Sequence, residues 1–159
     1  MSESHHEIHL EEYVVSRLTE QGWLEGTTAG YDTERALFTE DVVAWVQQTQ
    51  PEKWEKLVAT NGNAAEQILL DRLVKAIEKE GTAKVLRRGF SVAGAGTIDM
   101  SEAAPEDTRN QDVIDRYKAN RLRVVRQLKY HPTRQWAIDL GFFINGIPGK
   151  LHQAVFCPD

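Results

Sequence analysis

The chain has 159 residues, of which 41% are hydrophobic and 27% charged, with a net charge of −5. That is enough chain to bury one core, too acidic a balance for a protein that coats nucleic acid, and its one cysteine, Cys157, excludes an internal disulfide. No apolar run approaches the roughly 20 residues of a membrane span, and the polar start "MSESHHEIHLEE" lacks the form of a secretory signal. A cytoplasmic protein with no membrane partner is expected.

In chain order, Ser4 to Glu7 fits a capping box, and Ile8, Val14, Val15 and Leu18 give an amphipathic helix that ends before Gly22. "GWLEGTTAGYD" reads as a loop. Thr39 then caps "EDVVAWVQQ", and Pro51 restarts the helix as "PEKWEKLV". "NGNAAEQILLDRLVKAIEKEG" reads as the longest helix, with Leu69, Leu70, Leu73, Val74 and Ile77 on one side and Gly81 as its stop.

After Gly81 the character changes. "TAKVLRRGFSV" reads as β-compatible, "GAGTIDMSEAAPEDT" as a polar connection and "NQDVIDRYKAN" as a short helix. "RLRVVRQLKY" and "QWAIDLGFFI" read as strands around a His131-Pro132-Thr133 turn. Asn145-Gly146 signals a tight hairpin, with "KLHQAVF" as the returning strand. The expected architecture is one α+β domain over residues 1–159, with N-terminal helices on a small mixed or antiparallel sheet. Trp23, Trp45, Trp54 and Trp136 are most simply core. His5 and His9 have a metal-compatible spacing, but a solvated helix start explains them better.

Charge is unevenly distributed. Residues 1–83 hold 7 Lys/Arg against 16 Asp/Glu, whereas residues 84–159 hold 12 against 8. Arg116, Lys118, Arg121, Arg123, Arg126, Lys129 and Arg134 follow one another without an acid, which suggests a face for a polyanion. Alternation along "AIDLGFFI" puts Ile138, Leu140, Phe142 and Ile144 on one face and Asp139 with Gly141 and Phe143 on the other. A carboxylate there needs a cation, a hydrogen-bond network or a metal. Either an ion pair to Arg123 or Arg126, or ligation of a hard divalent cation, would satisfy it.

Five stretches in order, "HEIHLEEYVVSRLTEQGW", "YDTERALFTEDVVAWVQQTQPEKWEKL", "GTAKVLRRGF", "YKANRLRVVRQLKY" and "IDLGFFINGIP", resemble the N-terminal nuclease domain of the R subunit of type I restriction–modification enzymes. The resemblance implies a restriction-endonuclease-like core of the PD-(D/E)xK group and Mg²⁺-dependent cleavage of double-stranded DNA. It further implies methyltransferase and specificity subunits as partners, and ATP used only by a motor domain of the full subunit. Asp139 matches the strand acid of the family's Asp-Leu-x-x-Phe-x-Asn-Gly-x-Pro pattern, Glu7 matches its first-helix glutamate, and Glu11 is the second acid there. Asp139 and Glu7 are thus the expected catalytic and metal-binding residues. Arg121, Arg123 and Arg126 are the expected contacts to the DNA backbone, unless they neutralise the acid and stabilise the sheet.

The resemblance stops after about residue 148. Where the family continues into Glu-x-Lys, this chain has Gln153 and Val155. Neither replaces the missing charge, so the site is expected to be incomplete and the chain inactive, as after a frameshift or truncation. The alternative expectation is a non-catalytic remnant that binds DNA or docks on partner subunits.

Overall fold

The computed structural model describes residues 2–131 and 133–149, with side chains from residue 9 onward. Six α-helices and eight short strands form an α+β arrangement among these residues. The first helix, α1 (Ser2–Glu20), is the longest at 19 residues. It begins ahead of the Ser4 start read from the sequence, and it exceeds α4, which was expected to be longest. Glu11 and Val15, one turn apart, form its buried stripe, while Leu10 and Tyr13 face solvent.

The Gly-rich stretch after α1 is more ordered than a loop. It contains β1 (Leu24–Gly26), a 3₁₀ turn at Thr28–Gly30 and β2 (Tyr31–Asp32), which pairs antiparallel with β3 (Leu37–Phe38). Helix α2 (Thr39–Thr49) starts at Thr39 itself, with Phe38 in the capping position and no side-chain cap. Helix α3 (Pro51–Asn61) opens with Pro51, where the missing N–H costs nothing. Helix α4 (Ala65–Glu80) buries Leu69, Leu70 and Leu73 and stops at Gly81, whose φ of 87° is readily adopted only without a side chain.

The β-compatible reading of "TAKVLRRGFSV" holds only for its end. Thr82–Arg88 form α5, and only Phe90–Val92 form a strand, β4, which pairs with β5 (Gly96–Ile98). Val85 falls into the core one turn after Gly81, so a tertiary contact outweighs the weak helix propensity of Thr82 and Val85. Helix α6 (Gln111–Ala119) is capped by the Asn110 side chain, which accepts from the amides of Asp112 and Val113.

The main sheet has the order β1-β6-β7-β8, with β6 (Leu122–Lys129), β7 (Ala137–Ile144) and β8 (Ile147–Pro148). β1 runs parallel to β6, while β6/β7 and β7/β8 are antiparallel, so the sheet is mixed. The stretch read as the returning strand, "KLHQAVF", lies outside the described residues.

Two apolar clusters hold the fold. The larger joins Trp45, Leu57, Leu69, Leu73, Val85, Ile98 and Ile147 from the helices, the small hairpin and β8. The smaller joins Phe38, Val125, Leu128 and Phe143 across the sheet. Each fully buried leucine or phenylalanine in them contributes about 1.5–3 kcal/mol. Trp45 fills the larger cluster and donates from Nε1 to the Asp99 carbonyl at 2.8 Å. Trp23, Trp54 and Trp136 are only half-buried. Among the described residues no helix is long and apolar enough to cross a membrane.

The β7–β8 turn is an interior feature. Asn145 and Gly146 have φ of 49° and 83°, the twist a two-residue hairpin needs. Asn145 is fully buried: its Nδ2 donates to Met100 O and Asn120 Oδ1, both at 2.9 Å, and its Oδ1 accepts from the Arg121 amide at 2.6 Å. A Cβ at Gly146 would fall against the Phe38 carbonyl and Val42. The turn thus seats the sheet against the entrance of α2.

Candidate functional site

One irregularity in β6 builds the site. Gln127 has φ of 49°, a left-handed conformation costly for a residue with a Cβ. Strict alternation would send Val125 and Leu128 to opposite faces, yet both join the cluster with Phe38 and Phe143, and Leu128 covers Gly141. The kink at Gln127 lets Arg126 and Gln127 both reach α1, where Glu11 is buried.

Glu11 and Asp139, more than a hundred residues apart in sequence, converge on one amide. Gln127 Nε2 donates to Glu11 Oε1 at 2.9 Å and lies 3.5 Å from Asp139 Oδ1. Arg126 stands beside them, with Nε 3.7 Å from Glu11 Oε2 and Nη2 4.0 Å from Glu12 Oε1. Its Nε is buried and makes no hydrogen bond. Glu11 is only 7% exposed, whereas Asp139 is open to solvent. The site therefore has an anchored carboxylate, an accessible one and a neutral donor shared between them.

Carboxylate oxygens are the ligands that hard divalent cations take, and Mg²⁺ commonly uses one or two of them with water and phosphate. Among the described residues no group of three or more acidic, histidine or cysteine side chains comes together.

The other expected residues separate. The Asp139 carboxylate escapes the burial cost foreseen for an acid in an apolar strand, since β7 is exposed at Ala137 and Asp139 and buried only at Gly141 and Phe143. Neither Arg123 nor Arg126 pairs with it. Arg123 is turned inward instead. Nε and Nη2 donate to Asp41 Oδ2 and Oδ1 at 2.6 and 2.8 Å, and Nη1 donates to Glu25 O at 3.1 Å. The Asp41 hydrogen bonds hold the Arg123 guanidinium above its ordinary pKa. Its Cζ also sits 4.6 Å over the Phe38 ring.

Arg121 adds a third bond to Asp41 at 2.8 Å and keeps a quarter of its side chain exposed. Reading Arg123 as a DNA-backbone contact is thus corrected by geometry, because all three of its nitrogens are engaged inside the protein. Arg126 alone of the three lies at the Glu11–Asp139 pair. Glu7 is one helical turn before Glu11 in α1, and its side chain lies outside the described residues, as do Gln153 and Val155. His9 is exposed near Glu12.

Reading the sequence missed Gln127 and Asp41 and gave Glu11 second place. Gln127 carries no local signal, since its role comes from a backbone angle and two distant acids. Asp41 had a signal of sorts: a carboxylate in the first turn of α2, between apolar Phe38 and Val42. No family model, curated protein or solved structure matches the chain. The resemblance described above therefore rests on its five motifs.

Proposed function

We propose that this chain is the nuclease-domain portion of a type I restriction R subunit, built for Mg²⁺-dependent cleavage of double-stranded DNA and lacking half of its site. The observation that carries the reading is the meeting of a first-helix glutamate, Glu11, with the strand acid Asp139 at Gln127. A first helix against a small mixed sheet, each supplying one acid, is the arrangement expected of a restriction-endonuclease-like core.

In this reading Asp139 and Glu11, with Glu7 one turn earlier, hold the metal. Bound Mg²⁺ supplies polarisation of the scissile phosphate and a lowered pKa for the attacking water. Asp139 is the carboxylate that solvent and a phosphate can reach, and Glu11 is the fixed one. Gln127 orients both oxygens. The unsatisfied Nε of Arg126 is a donor for a phosphate oxygen, whose charge it would stabilise. ATP enters only through the family's motor domain, and the methyltransferase and specificity subunits are the expected partners.

Gln153 and Val155 stand where the family's Glu-x-Lys belongs, so at those positions the second acid and the lysine are replaced. Plasmid cleavage in Mg²⁺ tests the reading, with Gln153→Glu/Val155→Lys beside the unaltered chain. The repaired protein should cut and the unaltered chain should not, and adding Asp139→Ala should abolish the repair. Cleavage by the unaltered chain that survives Asp139→Ala would overturn it. A second reading, a non-catalytic DNA-binding or docking remnant, is favoured by the Gln127 amide, which already donates to Glu11 and stands 3.5 Å from Asp139 where a metal would sit; it requires that the repaired chain bind its partners without cutting.

A further inference from the structure

Away from the residues of the acidic pair, helices α4 and α5 border a basic groove. It is an open cavity of about 590 Å³, walled by Arg72, Lys75 and Lys79 of α4 and by Lys84 and Arg88 of α5. Glu80 is the only acid in its lining, and it is paired locally with Lys84 at 3.5 Å. Arg72, Lys75, Lys79 and Arg88 are exposed and form no ion pair among the described residues.

Four unpaired cations on one wall system are unexpected in a chain of net charge −5. Of the acids of this helix, Asp71 binds Arg35 at 3.1 Å and Glu78 lies over a different cleft with Glu34 and Arg35, while Glu80, at the helix end, is the one that reaches the groove. Cations therefore outnumber acids on the groove-facing side of α4. Residues 72, 75 and 79 follow the i, i+3, i+7 spacing of one helical stripe, so they line up along the groove over about 10 Å at 1.5 Å per residue.

We propose that this groove binds the phosphate backbone of double-stranded DNA. A row of cations of that length is on the scale of a few phosphates of a duplex, which carries one charge per about 1.7 Å of its axis. The remaining lining argues against a mononucleotide. Phe90 is only 5% exposed and offers no face on which a base could stack, and Ser91 and Thr97 add hydroxyl donors suited to phosphate oxygens. Contacts of this kind fix a duplex without reading its sequence. None of these residues belongs to the Glu11–Asp139 pair, and the proposal rests on the nuclease reading only for the choice of duplex DNA among polyanions.

The test is fluorescence anisotropy of a labelled duplex of mixed sequence with the full chain, repeated from low to moderate salt. Lys75→Gln/Lys79→Gln is compared with a charge-matched control, Arg17→Gln/Arg109→Gln, with circular dichroism confirming equal folding. The groove variant should bind at least about tenfold more weakly, and its log–log salt slope should become shallower by roughly 2, about 0.9 per lost phosphate contact. The control should match the unaltered chain. Equal weakening in both double variants, an unchanged slope, or no duplex binding by the unaltered chain would overturn the proposal. Binding lost with Arg126→Gln but kept in the groove variant would also overturn it while leaving the nuclease reading intact.

Discussion

Arg123 grips Asp41 with two nitrogens, Nε at 2.6 Å and Nη2 at 2.8 Å, and Asp41 is fully buried. This pair joins β6 of the sheet to the first turn of α2, and Arg121 reinforces it. Removing one partner of a buried pair leaves an uncompensated charge, which costs about 3–5 kcal/mol. Asp41→Ala is therefore expected to lower the unfolding free energy by that amount in urea titration. A loss below about 1 kcal/mol would mean that the pair contributes only what a surface pair does.

The Asn145–Gly146 turn should be as sensitive. Gly146→Ala must hold a Cβ at φ of 83° and push against Phe38 and Val42, so about 3 kcal/mol is expected from strain and overpacking together. Asn145→Ala leaves the Met100 carbonyl and the Arg121 amide without their buried partner, at a cost of about 2 kcal/mol or more. Thermal melts of both variants check this.

Gln127 can be separated into backbone and side-chain parts. Gln127→Ala and Gln127→Gly both remove the amide shared by Glu11 and Asp139, but only glycine relieves the φ of 49°. The glycine variant is expected to be the more stable of the two by about 1 kcal/mol. Equal stabilities would show that β6 relaxes out of the kink once the amide is gone.

Acid should loosen the β2–β3 hairpin. Burial acts to raise the Asp32 pKa, but the backbone and side-chain hydrogen bonds from Arg35 outweigh it and hold the carboxyl below its ordinary value. A depressed folded pKa gives stability that is present above the unfolded value, about 3.9, and lost as pH falls through the folded one. The stability difference between the unaltered chain and Asp32→Asn should therefore be full at neutral pH and shrink below about pH 4. A difference independent of pH over that range would contradict the assignment.

What the sequence made legible was local. Alternation located β6 and β7, the Asn-Gly pair located the hairpin, and Pro51 and Gly81 marked helix boundaries, because each signal acts through its own backbone. The destinations of the charges were not legible. Arg123 looks like a member of a cationic strand until Asp41, some eighty residues earlier, is brought against it. The basic groove draws its cations from two helices whose sequence also carries acids, most of them away from the groove, so a window along the chain averages them away. α5 was hidden by the β-compatible Thr82 and Val85, of which Val85 is held in the helix by its tertiary contact with the core.

The pairing of Glu11 with Asp139 as one cation site is tested most directly by titrating the unaltered chain with Mn²⁺, a paramagnetic substitute for Mg²⁺, and counting bound ions by electron paramagnetic resonance. One site is expected, displaced by Mg²⁺ and lost in Asp139→Asn and in Glu11→Gln alike, with the fold retained by circular dichroism. Mn²⁺ binding left unchanged by either substitution would contradict the site and with it the nuclease reading.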